Sequence, residues 1–328
     1  MHRTPQNMLA CTFFIIAVFI SAVFFANQAW AGPKQAPQRA DVIMLGDRVV
    51  DIAYNLGVVP AAMSVRCALW PMCKELDNAS QVLGCPNCVR KKKAQPVLDA
   101  VKNKGIQRII VEKHPQFCMY MDVAPEDIVP VLQEHDLKID YVDFTDGLES
   151  AVRQTAGLLG RQEQADKVIT RYSQQMAKAR KNLPDSSQST PVVIINGIHQ
   201  PATGRVMLRV EAPDGYADKF LLEPLGCVNK GSVFQGSGEP HKGHFMVKKD
   251  RNGPILTPLL EADPEIIVTT GDDFAVQKSI SRAADTNPEL QQVPAIKNNR
   301  IFSLPRYIDA SVLEYPEVLS IWAQAFKE

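Results

Sequence analysis

The chain has 328 residues, with 36 Lys and Arg against 36 Asp and Glu, so its formal net charge is zero. Without a basic surplus it lacks the electrostatic footprint of a nucleic-acid binder, and 45% hydrophobic against 22% charged residues excludes a disordered chain. A chain of this length buries a large core and normally divides it between two domains.

Residues 1–31 carry Arg3 in a short polar head, an apolar run from Met8 to Ala26 and the small-residue pattern Ala29-Trp30-Ala31. That is the layout of a secretory signal peptide cleaved after Ala31; the competing reading is an uncleaved membrane anchor. Cys11 precedes the end of the apolar run, where a lipidated cysteine would follow it. Residues 32–40 form a Pro/Gln/Lys-rich tether.

An α/β lobe is expected over residues 41–146. Asp41–Leu45 reads as a buried strand, Arg48–Leu56 as a helix closed by Gly57, and Ala61–Val65 as a second strand. The helix Ala94–Lys104 ends at Gly105 and feeds the strand Arg108–Glu112, and the helix Pro125–His135 feeds the strand Leu137–Phe144. This alternation predicts βαβ units and a mostly parallel sheet. Residues 147–183 change to pure helix, with Ala165, Val168, Ile169, Tyr172, Met176, Ala179 and Leu183 on one stripe and Gly160 dividing a shorter helix from a long one. From 184 to 328 the alternation restarts: strand Val192–Asn196, helix Tyr216–Leu225, strand Glu265–Thr270, helix Phe274–Ala284, strand Arg300–Leu304 and helix Val312–Phe326. The expected fold is therefore α/β, with two Rossmann-like lobes of mostly parallel sheet joined by one long helix.

Four phrases in this order carry a resemblance: DVIMLGDRVVDIAYNLGVVPAAMSV at 41–65, LLGRQEQADKVITRYSQQMAKARKNL at 158–183, LLEADPEIIVTTGDD at 259–273 and VPAIKNNRIFSLP at 293–305. Together they resemble the substrate-binding proteins of ABC importers for iron-siderophores, heme and vitamin B12. The resemblance implies a periplasmic monomer that closes on a metal chelate between its lobes and delivers it to an inner-membrane permease. It implies no catalytic residue and no required cofactor, the chelate being the transported ligand. It also implies an acidic docking residue on each lobe, of which Glu223 is the C-lobe candidate. The N-lobe counterpart, among Glu75 and nearby acids, is not fixed by the sequence.

Ligands of open α/β sheets sit beyond the carboxyl ends of the strands. On that rule the candidates are Asp47, Arg48, Arg66, Cys67, Trp70, Lys113, His114, Met119 and Tyr120 in the first lobe. In the second they are His199, His241, His244, Asp272, Asp273, Arg306 and Tyr307. Arg pairs with carboxylates and rings stack on flat faces, so the set suits an anionic, partly aromatic chelate. A bare hard cation would want carboxylates instead. His241 and His244 lie in a Gly-rich stretch that reads as a loop, where they serve as ligands only with help from elsewhere.

Once the signal peptide is removed, six of the seven cysteines remain, five of them between Cys67 and Cys118. In an oxidising compartment disulfides are the default. A four-thiolate metal site from Cys67, Cys73, Cys85 and Cys88 is the competing reading, and Cys85-Pro86-Asn87-Cys88 also fits a redox dithiol. These thiols support a second function class, a periplasmic thiol-based redox or metal-binding protein. No nucleophile elbow, phosphate-cradling glycine loop or His-Glu-x-x-His motif is present in the sequence.

Overall fold

A strand that is apolar on both faces must be covered on both, and β1 (Gln38–Leu45) shows the consequence. Its last four residues are all buried, Val42 and Met44 in one hydrophobic cluster, Ile43 and Leu45 in another on the opposite face. The computed structural model describes residues 37–114, 117–184, 189–200, 202–251 and 253–327. The expected signal peptide and residues 32–36 of the tether lie outside them. After β1 come α1 (Asp47–Asn55), β2 (Val58–Ser64), α2 (Met72–Leu76), β3 (Gln81–Val82), α3 (Pro86–Lys91), α4 (Gln95–Lys104), β4 (Arg108–Lys113), α5 (Val129–Gln133) and β5 (Lys138–Asp143). The strands lie in the order β3-β2-β1-β4-β5, with parallel pairing of β2 with β3, β1 with β4 and β4 with β5. The helix expected over Pro125–His135 is split: a 3₁₀ turn, Pro125–Ile128, precedes the short α5. Pro130 has no N–H to give to the carbonyl four residues back, so one continuous α-helix cannot form through it.

Two helices then run in succession, α6 (Gly147–Leu159) and α7 (Gln162–Lys181), separated at Gly160 in the left-handed conformation, as the sequence pattern predicts. The 20 residues of α7 span about 30 Å. Its Ala165, Val168 and Ile169 belong to the same core cluster as Val42 and Met44, whereas Ala179 belongs to a cluster in the second sheet's core. One rigid helix is thus rooted in both cores.

The remaining elements are β6 (Thr190–Gln200), β7 (Arg205–Glu211), β8 (Cys227–Asn229), β9 (His244–Met246), the small ribbon of β10 (Lys249–Asp250) and β11 (Gly253–Pro254), α8 (Leu259–Ala262), β12 (Ile266–Gly271), α9 (Asp273–Thr286), α10 (Pro294–Lys297), β13 (Ile301–Ser303) and α11 (Tyr315–Ala325). The second sheet runs β13-β12-β6-β7-β9, with β8 also on β6. It is mixed rather than mostly parallel. β13, β12 and β8 pair in parallel, but β7, where no element is expected, and β9, in the stretch expected to be loop, add antiparallel strands. The helix expected over Tyr216–Leu225 is a π turn, Asp218–Leu222, followed by a 3₁₀ turn, Glu223–Leu225. Pro224 again removes a donor that a regular helix would need. No helix among the described residues is long and apolar enough to cross a membrane.

Candidate functional site

A cavity of about 350 Å³ lies between the two sheets. Its first wall comes from the carboxyl ends of four strands. Asp47 and Arg48 follow β1, Arg66 and Trp70 follow β2, His114 and Met119 follow β4, and Phe144 follows β5. Tyr172 of α7 forms the back. The opposite wall is Tyr216, Lys219 and Phe220, together with the segment from Tyr307 to Tyr315.

The cations in this wall are held by buried carboxylates. Glu112 is fully buried in β4; its carboxylate accepts from the Arg48 backbone N–H at 2.9 Å and from Arg48 Nε at 2.5 Å. This approach is open only because residue 46 is glycine, at φ 123°, where a Cβ would collide with Glu112. Arg48 Cζ lies 4.4 Å from the centre of the Phe144 ring, and its buried Nη2 has no hydrogen-bond partner among the described residues. Arg66 donates from Nε to Asp47 Oδ2 at 2.5 Å, and from Nη1 to Phe117 O and Tyr216 Oη, both at 3.0 Å. Burial disfavours the Arg66 guanidinium, but Asp47, Tyr216 and Cys118 together outweigh it and drive its pKa upward. Because Tyr216 belongs to the second lobe, this bond ties the two lobes across the cavity.

The second wall is a stack of rings. Phe220 and Tyr307 lie parallel at 4.0 Å between centres, Tyr216 continues the stack at 6.0 Å from Tyr307, and Tyr315 meets Tyr307 edge-on at 5.6 Å. Lys219 stands exposed beside it, 5.7 Å from the Phe220 ring. From the first lobe, the buried Asp51 carboxylate accepts from Ser311 Oγ at 2.7 Å and Val312 N at 2.8 Å. Burial pushes the Asp51 carboxyl up to about 7.

The candidates from the sequence therefore divide. Arg48, Arg66, Trp70, His114, Met119 and Tyr307 converge on the cavity, whereas Lys113 pairs with Asp143 outside it. Tyr120 and Arg306 border a smaller chamber of about 10 Å³, which shares Tyr216 and Tyr307 with the larger one and also holds Glu211. His244 is buried beside that chamber with Nε2 unpartnered, 3.8 Å from Glu211 Oε1. Burial pulls the His244 imidazole down to about 4 and pushes Glu211 up to about 7, so at neutral pH the imidazole is uncharged. Tyr120 packs edge-on against Tyr216 at 5.1 Å, and a Cβ at Gly243, φ 75°, would strike its ring.

His199 and His241 are exposed, and His241 meets His244 only through a backbone bridge, so the three imidazoles do not converge. Asp272 caps α9, accepting from Ala275 N at 2.9 Å, with Asp273 next to it in the helix's first turn. Glu223 is exposed on its 3₁₀ turn. Residues not singled out from sequence are Asp51, Phe117, Phe144, Tyr172, Tyr216, Lys219, Phe220 and Tyr315. The six rings among them are indistinguishable in a sequence from core residues, and only the strand-end rule pointed near Phe117 and Phe144.

Cys67 and Cys73 form a disulfide, with Cα atoms 5.2 Å apart. This corrects the four-thiolate reading, because two of its ligands are consumed. No cluster of three or more His, Cys, Asp or Glu suited to a metal ion occurs among the described residues. Cys85 and Cys88 are free thiols with their sulfurs 2.8 Å apart.

No protein-family model matches the sequence, and no curated protein matches it significantly. Solved structures do match in fold. The periplasmic heme-binding protein BhuT, in complex with two hemes, superposes with a TM-score of 0.55 at 12% identity, over 88% of this chain and 98% of that one. The periplasmic heme-binding protein RhuT from Roseiflexus sp. RS-1 gives 0.52 at 13%, over 87% and 97%. A periplasmic heme-binding protein from Pseudomonas aeruginosa gives 0.51 at 17%, over 88% and 92%. This chain thus has the fold of the periplasmic heme-binding proteins, two α/β lobes joined by one long helix, as its sequence resemblance implied.

Proposed function

We propose that this chain is the periplasmic solute-binding component of an ABC importer, and that it carries a flat, anionic metal chelate between its lobes, with heme the favoured cargo over a ferric siderophore or a corrinoid. The observation that carries the reading is the pairing of a ring-walled cavity with the Arg48 guanidinium, whose buried Nη2 has no acceptor among the described residues. A carboxylate edge on the cargo supplies that acceptor, while the flat body lies against the Phe220 and Tyr307 rings. Lys219 at the rim adds a second cation. The three fold neighbours described above are heme-binding proteins, which favours heme among the three chelates. Delivery follows from closure of two lobes on a stiff connecting helix, which allows only a small hinge movement.

Titration of the ligand-free protein with hemin, a ferric siderophore and cobalamin, followed by quenching of the Trp70 fluorescence and by visible absorption, tests the proposal. Saturable binding of hemin is the expected result. Binding of free divalent metal with none of the three chelates would sink the reading. Phe220→Ala is expected to weaken hemin binding by roughly tenfold, or about 1.4 kcal/mol, through loss of stacking area.

Docking to the permease is assigned to Glu223, whose exposed carboxylate meets a basic residue of the membrane partner. Glu223→Arg is expected to abolish uptake into cells while leaving the hemin affinity of the purified protein unchanged. Loss of hemin affinity in that variant would place Glu223 in the binding machinery instead.

A further inference from the structure

We propose that Cys85 and Cys88 are a second thiol–disulfide site, resting closed in an oxidising compartment and opened by a dithiol that leaves Cys67–Cys73 intact. The inference is independent of what the cavity binds. Both residues are free thiols here, with Sγ atoms 2.8 Å apart; a formed bond is about 2.05 Å long, so closure asks for a sulfur displacement of under about 1 Å. Cys85 Sγ also accepts from the Cys88 backbone N–H at 3.3 Å, which holds one sulfur over the other residue.

The segment that carries the pair is anchored at both ends. Gly84 O accepts from Ser64 Oγ at 3.0 Å and from Val65 N at 3.1 Å, which ties it to the end of β2. Beyond the pair, Val89 is fully buried, and Arg90 bonds Asp127 at 3.0 Å and Asn87 at 3.2 Å. The two sulfurs therefore meet on a fixed platform.

Access separates this pair from the existing disulfide. Cys88 is exposed and Cys85 half-buried, whereas Cys67 is half-buried and Cys73 only 2% exposed. An incoming thiolate therefore reaches the exposed Cys88 sulfur more readily than the sulfurs of Cys67–Cys73. Lys91, Lys92 and Lys93, exposed one turn further on, favour an anionic attacker. Burial, and then the adjoining Cys88 thiol, push the Cys85 thiol up, so Cys85 gains no stabilisation as a thiolate, which favours closure of the pair.

The exchange balances as follows. A thiolate of the dithiol attacks Cys88 Sγ, a mixed disulfide forms, and Cys85 Sγ departs with the bonding electrons and takes up a proton. The second thiolate of the dithiol then attacks its own sulfur bonded to Cys88, which leaves as a thiolate and is protonated. Two electrons and two protons pass to the pair, and the dithiol becomes a disulfide. The reverse sequence, with a disulfide as oxidant, closes the pair again.

The test is differential alkylation of the full mature protein, read by peptide mass spectrometry. In air-equilibrated, denatured protein without reductant, maleimide is expected to label Cys118 and Cys227 but none of the other four cysteines. Native protein treated with graded dithiothreitol is then expected to expose Cys85 and Cys88 roughly tenfold faster than Cys67 and Cys73. In Cys88→Ser, Cys85 should label without any reductant, with Cys67–Cys73 still closed. Labelling of Cys85 and Cys88 in unreduced wild-type protein would overturn the proposal, as would opening of Cys67–Cys73 at the same rate or first.

Discussion

Replacing Asp47 by alanine is expected to lower the unfolding free energy by about 3–5 kcal/mol, the cost of leaving a buried charge without its partner. Arg66 is 9% exposed and Asp47 4%, so neither group is rescued by water when the other is removed. Asp47 also accepts from the Arg66 backbone N–H at 2.7 Å, and the loss therefore frees two donors rather than one. The pair further aims Arg66 Nη1 at Tyr216 Oη, so the variant is expected to loosen the tie across the cavity as well as the first lobe. Urea denaturation followed by tryptophan fluorescence, from Trp70 and Trp322, measures the first effect. Replacing Arg66 by methionine in the same chain as Asp47→Ala should recover part of the loss, because an apolar pair is not penalised by burial. A drop below about 1 kcal/mol for Asp47→Ala would mean that the pair is solvated and does not organise the site.

Asp51 makes stability depend on pH, with a sign opposite to that of an ordinary ion-paired carboxylate. Burial raises its pKa to about 7, against 3.8 for an unperturbed Asp, and hydrogen bonds from Ser311 and Val312 only partly counter the shift. Between those two values the folded chain binds a proton that the unfolded chain does not. The contribution is thus fully present below pH of about 4 and is lost as pH rises through about 7. At about 1.4 kcal/mol per unit, the loss across that window is about 4 kcal/mol. Glu211, raised from 4.5 to about 7 by burial, acts in the same direction. His244 acts against both: with its pKa drawn from 6.5 to about 4, its contribution is present above 6.5 and is lost as pH falls toward 4. Above about pH 6.5, where His244 no longer changes, Asp51 and Glu211 act in one direction and stability falls.

Unfolding free energies measured at pH 6.5 and 8 are therefore expected to fall, and Asp51→Asn is expected to remove a share of that fall. Asparagine keeps an acceptor for Ser311 and Val312 without a charge to bury. An unchanged pH slope in Asp51→Asn would show that this carboxyl ionises without penalty.

Much of the architecture was legible because helix and strand signals are local. Gly57, Gly105 and Gly160 end helices in the positive-φ conformation, and the apolar stripe of α7 is read directly from its spacing. Val206, Leu208 and Val210 alternate in the sequence as well, yet β7 went unread, and two prolines broke helices that periodicity alone extended. The rule that ligands meet strand ends reached Arg48, Arg66, Trp70, His114 and Tyr307 from sequence alone. Their state was decided elsewhere. Arg48 depends on Glu112, 64 residues away, Arg66 on Tyr216, 150 residues away, and Asp51 on Val312, 261 residues away. Periodicity is a property of neighbouring residues, set by the backbone's own geometry. Which charge is neutralised and which ring faces a cavity are set by contacts between distant segments, and these exist only once both sheets are packed around α7.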